Sequence, residues 1–284
     1  MRRALLVLLA VPLLARAQEP PLQIPPNTMP SPDPGSGRKI ASTAMVGAIF
    51  AANLVDAYFT WWKDAQKPFS FFSEDWLNGP HLGIDKPGHF YGAYSIFKIT
   101  RTILLWGGHD RSTAFWWATG LSLFNGLEVE IGDGFSPYGF DVEDLLFDFA
   151  GVGYAMLQSE IPYLENFNFK FSYWSEKGVK TPAAFVEDYD ALTIWLSFNM
   201  HNLLPEPVAG VWPKWLNLAV GYGVDDRVTR REFLIGLDLN FEGFETESQD
   251  VLLLERIGNV WHAPAPAVKF TTGRGPRWYL AQTR

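Results

Sequence analysis

At 284 residues the chain can form one large domain or two modest ones, and a hydrophobic content of 48% excludes general disorder. A net charge of -8 without any clustered Lys/Arg run argues against a nucleic-acid partner, because phosphate binding needs a basic face. The absence of cysteine excludes disulfides, thiolate metal sites and Cys nucleophiles, while an aromatic share of 15% with 12 Trp raises a membrane-contacting reading.

The chain opens with Met1-Arg2-Arg3, an apolar run from Ala4 to Leu14 and Ala15-Arg16-Ala17, the pattern of a secretory signal with cleavage after Ala17. An N-terminal membrane anchor is the weaker reading, because the run falls short of the roughly twenty residues a bilayer span needs. No cysteine follows it for a lipid to modify. Residues 18–39 carry seven prolines with Gly and Ser, the composition of an extended spacer.

From Ile40 apolar residues recur at helical spacing to about Trp62. A second helix is expected from about Gly88 to Leu105, with Asp85 able to cap it and Pro87 in its first turn. A third runs from Ser112 to about Ile131, where Gly132-Asp133-Gly134 has a composition that breaks it, and a fourth from Asp141 to Pro162. Beyond Asn166 the period becomes two. Phe169 to Tyr173, Leu192 to Phe198, Leu216 to Val224, Phe233 to Phe241 and a final pair around Val268 to Phe270 and Trp278 to Leu280 read as strands. The expected fold class is α+β: an N-terminal four-helix up-down bundle over residues 40–165, then a small antiparallel β region over 166–284. Six strands fall short of the eight a closed outer-membrane barrel requires, so a sheet is favoured over a barrel.

Up-down order places the start of helix two, the end of helix three and the start of helix four at one end of the bundle. Asp85, His89, Glu128, Glu130, Asp133, Asp141 and Asp144 all belong to those termini. Asp85, His89, Glu130, Asp133 and Asp144 are therefore candidate catalytic residues, and His89, Glu130 and Asp144 candidate ligands of a divalent metal. Imidazole with carboxylates suits Zn, Mn or Fe, and clustered acids can hold a proton at raised pKa. The competing reading is structural: Asp85 and Asp141 as caps, Asp133 in a Gly turn, and Lys86 and His89 as their counter-charges. Lower in the bundle, Lys98 or Arg101 is expected to form a buried ion pair with Asp148, at a depth of roughly 10 to 14 Å. Tyr91, Trp116 and Trp117 read as packing or interface residues, and His201 and His262 as solvated.

Gly83 to Tyr94 (GIDKPGHFYGAY), Glu130 to Ser136, Tyr138-Gly139-Phe140 with Asp144, and Phe169 to Tyr173 resemble the YfiM-like family of predicted periplasmic or outer-membrane lipoproteins, a domain-of-unknown-function family. The resemblance covers about residues 40 to 175 and implies an exported, envelope-associated protein with no established activity. The pattern Asp85-Lys86-x-x-His89 followed by acids on later helices is also similar, over a short stretch, to VanZ-like membrane proteins. The expectation is an exported envelope protein, membrane-associated, with a polar Asp/His/Glu site at one end of a helical bundle. The alternative is a metal-assisted enzyme acting on a lipid-linked or cell-wall substrate, and a bound small amphiphile or lipid is a third possibility.

Overall fold

A computed structural model describes residues 35–282, apart from 176, 177, 179 and 245. The expected signal peptide (1–17) and most of the expected linker lie outside the described residues. The chain combines helices with a six-stranded antiparallel sheet.

The first helix, α1 (Gly35–Ala57), begins inside the segment expected as linker and continues through a π-helical turn, Tyr58–Trp62. It is long and apolar enough to cross a membrane by length and composition, with only 17% of its most apolar window buried. Helix α2 (Asp85–Trp106) begins three residues earlier than expected. Asp85 therefore sits inside its first turn rather than capping it; the cap position is Ile84, without a side-chain bond. Helix α3 (Arg111–Gly134) starts where Asp110 accepts a hydrogen bond from the Thr113 amide at 2.9 Å.

The expected break at Gly132 does not occur; α3 runs on through Gly134. Tertiary packing outweighs the cost of glycine in a helix here: Gly132 and Gly134 leave the space that the Trp62 and Phe69 rings fill. Helix α4 (Val142–Glu160) is capped by Asp141, which accepts from the Glu143 amide at 2.8 Å. The two-residue strands β1 (Phe71–Phe72) and β2 (Phe140–Asp141) pair in parallel and tie the loop before α2 to the start of α4.

Helices α2, α3 and α4 pack on one another, and α1 lies against α2. Gly151 lets α4 come close to α2: a Cβ there would strike the carbonyl of Phe90.

The sheet joins β3 (Phe167–Tyr173), β4 (Leu192–Phe198), β5 (Leu216–Val224), β6 (Arg231–Leu239), β7 (Ala265–Thr271) and β8 (Arg277–Gln282) in strict sequence order. Its period-two pattern separates two faces. On one, Phe171, Leu192 and Ile194 join Tyr91, Tyr94, Phe97 and Val152 in the main core between sheet and helices. Tyr91 stacks on Phe171 at 5.3 Å and donates to the Val260 carbonyl, which makes it a packing residue. Further along that face Phe233, Ile235, Phe270, Trp278 and Leu280 are exposed.

The other face carries small and polar side chains that are nonetheless buried: Lys170, Ser197, Asn217 and Asp238. Lys170 meets Asp238 at 2.8 Å with both side chains fully buried. His262 is not solvated as expected. It is 4% exposed, stacks on Trp195 at 3.9 Å, and burial pulls its pKa down to about 4. It comes from a segment that runs along the free edge of β3, where Phe171 bridges Trp261.

Candidate functional site

The first turns of α2 and α4 and the last turns of α3 meet, and His89 stands between them. Its Nε2 lies 3.6 Å from Asp144 and 3.9 Å from Asp85, its Nδ1 3.4 Å from Asp148 and 4.0 Å from Glu130. The structure thus brings Asp85, His89, Glu130 and Asp144 together. Asp133 stands aside: it accepts from the Trp62 indole at 2.8 Å, and its carbonyl closes the turn to Ser136 and Gly139.

Two further residues stand at the site: Lys86, read from the sequence only as a counter-charge, and Asp148, expected to pair with Lys98 or Arg101. Lys86 is 1% exposed, and its ammonium reaches Asp144 at 2.6 Å, Asp141 at 3.0 Å and Asp85 at 3.2 Å. Asp148 faces His89 rather than Lys98 or Arg101. The expected ion pair fails on depth: counted from Asp85 and Asp141, at about 1.5 Å per residue, Lys98 lies near 20 Å and Asp148 near 10 Å. Lys98 donates instead to Gln158 and Asn168, each at 3.1 Å. Asp148 fits beside His89 because α3 presents Gly126 there; a Cβ on it would lie 2.6 Å from the Asp148 carboxylate.

Tyr189, from the β region, donates to Asp85 at 2.7 Å and stacks on His81. No spacing or pattern in the sequence marks it, because the contact spans 104 residues.

The electrostatics divide the acids into two kinds. Burial opposes the charge on Asp85, but His89, Lys86 and the Tyr189 hydroxyl outweigh it and hold the carboxyl below its ordinary value. For Glu130 burial wins, pushing it up to about 8 against the opposing pull of His89 and the Asp141 amide. Burial raises Asp144 to about 7 and Asp133 to about 6. Burial works against protonated His89, yet Asp148, Asp144 and Asp85 hold its pKa well above the ordinary value.

Three overlapping triads could each surround one cation: His89, Glu130 and Asp148; Asp85, His89 and Asp144; and, toward the surface, Glu74, His81 and Asp85. His89 links the first to the second and Asp85 the second to the third, so together they form a graded path from the half-exposed His81 to the buried Glu130.

Neither the comparison with curated proteins nor that with solved structures returned a match. Residues 70–160 match a family model described as predicted periplasmic lipoprotein (DUF2279). That segment holds Lys86, His89, Glu130 and every carboxylate within 4.0 Å of His89, while Tyr189 lies beyond it. The chain is an exported protein of the periplasm or outer membrane, and its site-bearing segment is similar to the DUF2279 family, consistent with the YfiM-like resemblance.

Proposed function

We propose that this is a membrane-associated envelope protein whose His89 cluster holds a divalent cation, with His89, Glu130 and Asp148 as ligands and Asp144 and Asp85 beside them. The four long helices are read as an up-down bundle with this site at one end. The observation that carries the cation reading is the spacing of His89 Nδ1 from Asp148, 3.4 Å. That is long for a charge-assisted hydrogen bond but matches the roughly 3.4 Å between two ligand atoms that share a tetrahedral ion at about 2.0–2.2 Å. The donor set, one imidazole with carboxylates, suits Zn, Mn or Fe.

Membrane association rests on the apolar outer surface. Ile40, Ile49 and Phe59 of α1 and Trp116 and Trp117 of α3 are exposed, and such surface on a soluble monomer is rare beyond a few hundred Å². Outer-membrane attachment is the finer form of this reading.

Elemental analysis of purified protein tests the cation site. About one equivalent of metal per chain is expected, lost in His89→Ala and in Asp148→Asn. A wild-type protein that takes up no Zn, Mn or Fe on titration removes the proposal.

A metal-assisted enzyme is the second reading, favoured by Glu130 and Asp144, whose pKa values near 8 and 7 suit general acid–base work at neutral pH. It predicts turnover of lipid-linked or cell-wall substrates that is lost in Glu130→Gln.

A further inference from the structure

A second polar site lies at the far end of α2, at least about 14 Å along the helix from His89 at 1.5 Å per residue. There a cavity of about 420 Å³ opens between α2, α4, the start of β3 and the segments before β5 and after β6. Its basic groups are Lys98, Arg101, Lys214 and Arg256, and its carboxylates are Glu165 and Glu242. Glu242 is taken by Arg256 at 3.3 Å and by Asn259 at 3.0 Å.

Two cations on the wall have no acid within ion-pair distance among the described residues. Lys98 donates to the amide oxygens of Gln158 and Asn168 and lies over the Tyr94 ring at 5.5 Å, and burial lowers its pKa, so an anion beside it would restore its charge. Arg101, one turn further along the same face, is 5% exposed, makes no hydrogen bond or ion pair among the described residues, and keeps its Nε buried and unsatisfied. A buried charge without a counter-charge is costly, and a bound anion would supply one here. The wall carries a second orphan of opposite character: Asn199 Oδ1 is buried without a donor.

We propose that this cavity binds a phosphorylated polyol. The phosphate sits between Lys98 and Arg101, whose planar fork suits its oxygens, and a ligand hydroxyl donates to Asn199. The net excess of two basic groups over carboxylates on the wall matches a phosphate dianion. The cavity exceeds the size of inorganic phosphate and leaves room for the esterified polyol. A free glycerol phosphate and a phosphatidylglycerol headgroup share the phosphate and the polyol hydroxyls, the first as a monoester dianion that the wall's charge matches in full and the second as a diester monoanion that it matches in part. The proposal stands independently of the cation site.

The test is thermal unfolding and calorimetry of the purified full chain with glycerol 3-phosphate, and co-sedimentation with phosphatidylglycerol vesicles, for wild type, Arg101→Met and Lys98→Met. Saturable binding of glycerol phosphate, weakened at least tenfold in both variants, supports the site with a soluble ligand. Binding to vesicles alone, weakened by the same variants, supports it with a lipid headgroup. Ligand-free Arg101→Met is expected to melt at or above the wild-type temperature, because the change removes an uncompensated charge; a purely structural arginine would give a lower one. Absence of binding to either probe, or binding that both variants leave unchanged, overturns the proposal.

Discussion

The Lys86 ammonium lies 2.6 Å from the Asp144 carboxylate, on a lysine that is 1% exposed. The neighbouring acids raise its pKa despite burial, so it is the permanent counter-charge of the cluster. Lys86→Met leaves Asp85, Asp141 and Asp144 facing each other in a buried setting and is expected to cost about 3–5 kcal/mol. Urea unfolding measures it. Adding Asp144→Asn should recover part of the loss, whereas strictly additive effects would show that the two groups do not act as a pair.

Glu130 gives a pH signature in chelator-treated protein. Its folded-state pKa near 8 exceeds the ordinary carboxylate value of 4.5, so the folded form binds the proton more tightly. Its contribution is complete below about pH 4.5 and is lost as pH rises toward 8, by an amount on the order of a few kcal/mol. Glu130→Gln should flatten the decline between pH 5 and 8 measured by denaturant titration; an unchanged slope contradicts the assignment. Added metal should reverse the order, making wild type the more stable protein at pH 8.

His262 has the opposite sign. Its pKa is depressed to about 4 in the fold, so its contribution is present above the ordinary value of 6.5 and is lost as pH falls from 6.5 toward 4. The loss is on the order of 3 kcal/mol. His262→Gln should lower stability at pH 7, where the Trp195 stack is lost, and narrow the difference from wild type by pH 4.5. A difference that widens on acidification excludes a buried neutral imidazole.

Gly126 is the space into which Asp148 fits, 2.6 Å from where a Cβ would stand. Gly126→Ala should destabilise by about 1–3 kcal/mol through overpacking, despite the better helix propensity of alanine, and should weaken metal uptake. A gain in stability would mean that Asp148 has room to move.

The outer face of α1 can be tested by liposome partitioning. Ile49 and Phe59 are 51% and 61% exposed, and burying each in lipid is worth about 1.5–3 kcal/mol. Ile49→Ser with Phe59→Ser should therefore cut partitioning by about a hundredfold or more. Equal partitioning of the double variant places the membrane contact elsewhere.

Much of this was legible before any coordinates. The switch from helical to alternating period at Asn166 located all six strands of the main sheet, and the expected grouping of helix ends named Asp85, Glu130 and Asp144, which lie within 4.0 Å of His89. What stayed hidden has physical causes. Stripe arithmetic tells which residues share a helix face but not how deep two helices overlap, and a shift of three residues at the start of α2 moved Lys98 away from Asp148. Composition named Gly132 and Gly134 as breakers because it cannot see the Trp62 and Phe69 rings that settle into the space they leave. His262 looked solvated beside prolines because its burial depends on a chain segment returning to β3.

The Tyr189–Asp85 hydrogen bond, finally, makes the site a joint product of both halves of the chain. The helices that hold His89 are complete by Glu160, but Asp85 waits for a hydroxyl from the connection between β3 and β4. The acidic cluster is therefore complete only in a chain whose first part of the sheet has docked on the helices, and the Tyr189 hydroxyl is where the two halves of the chain meet at the site.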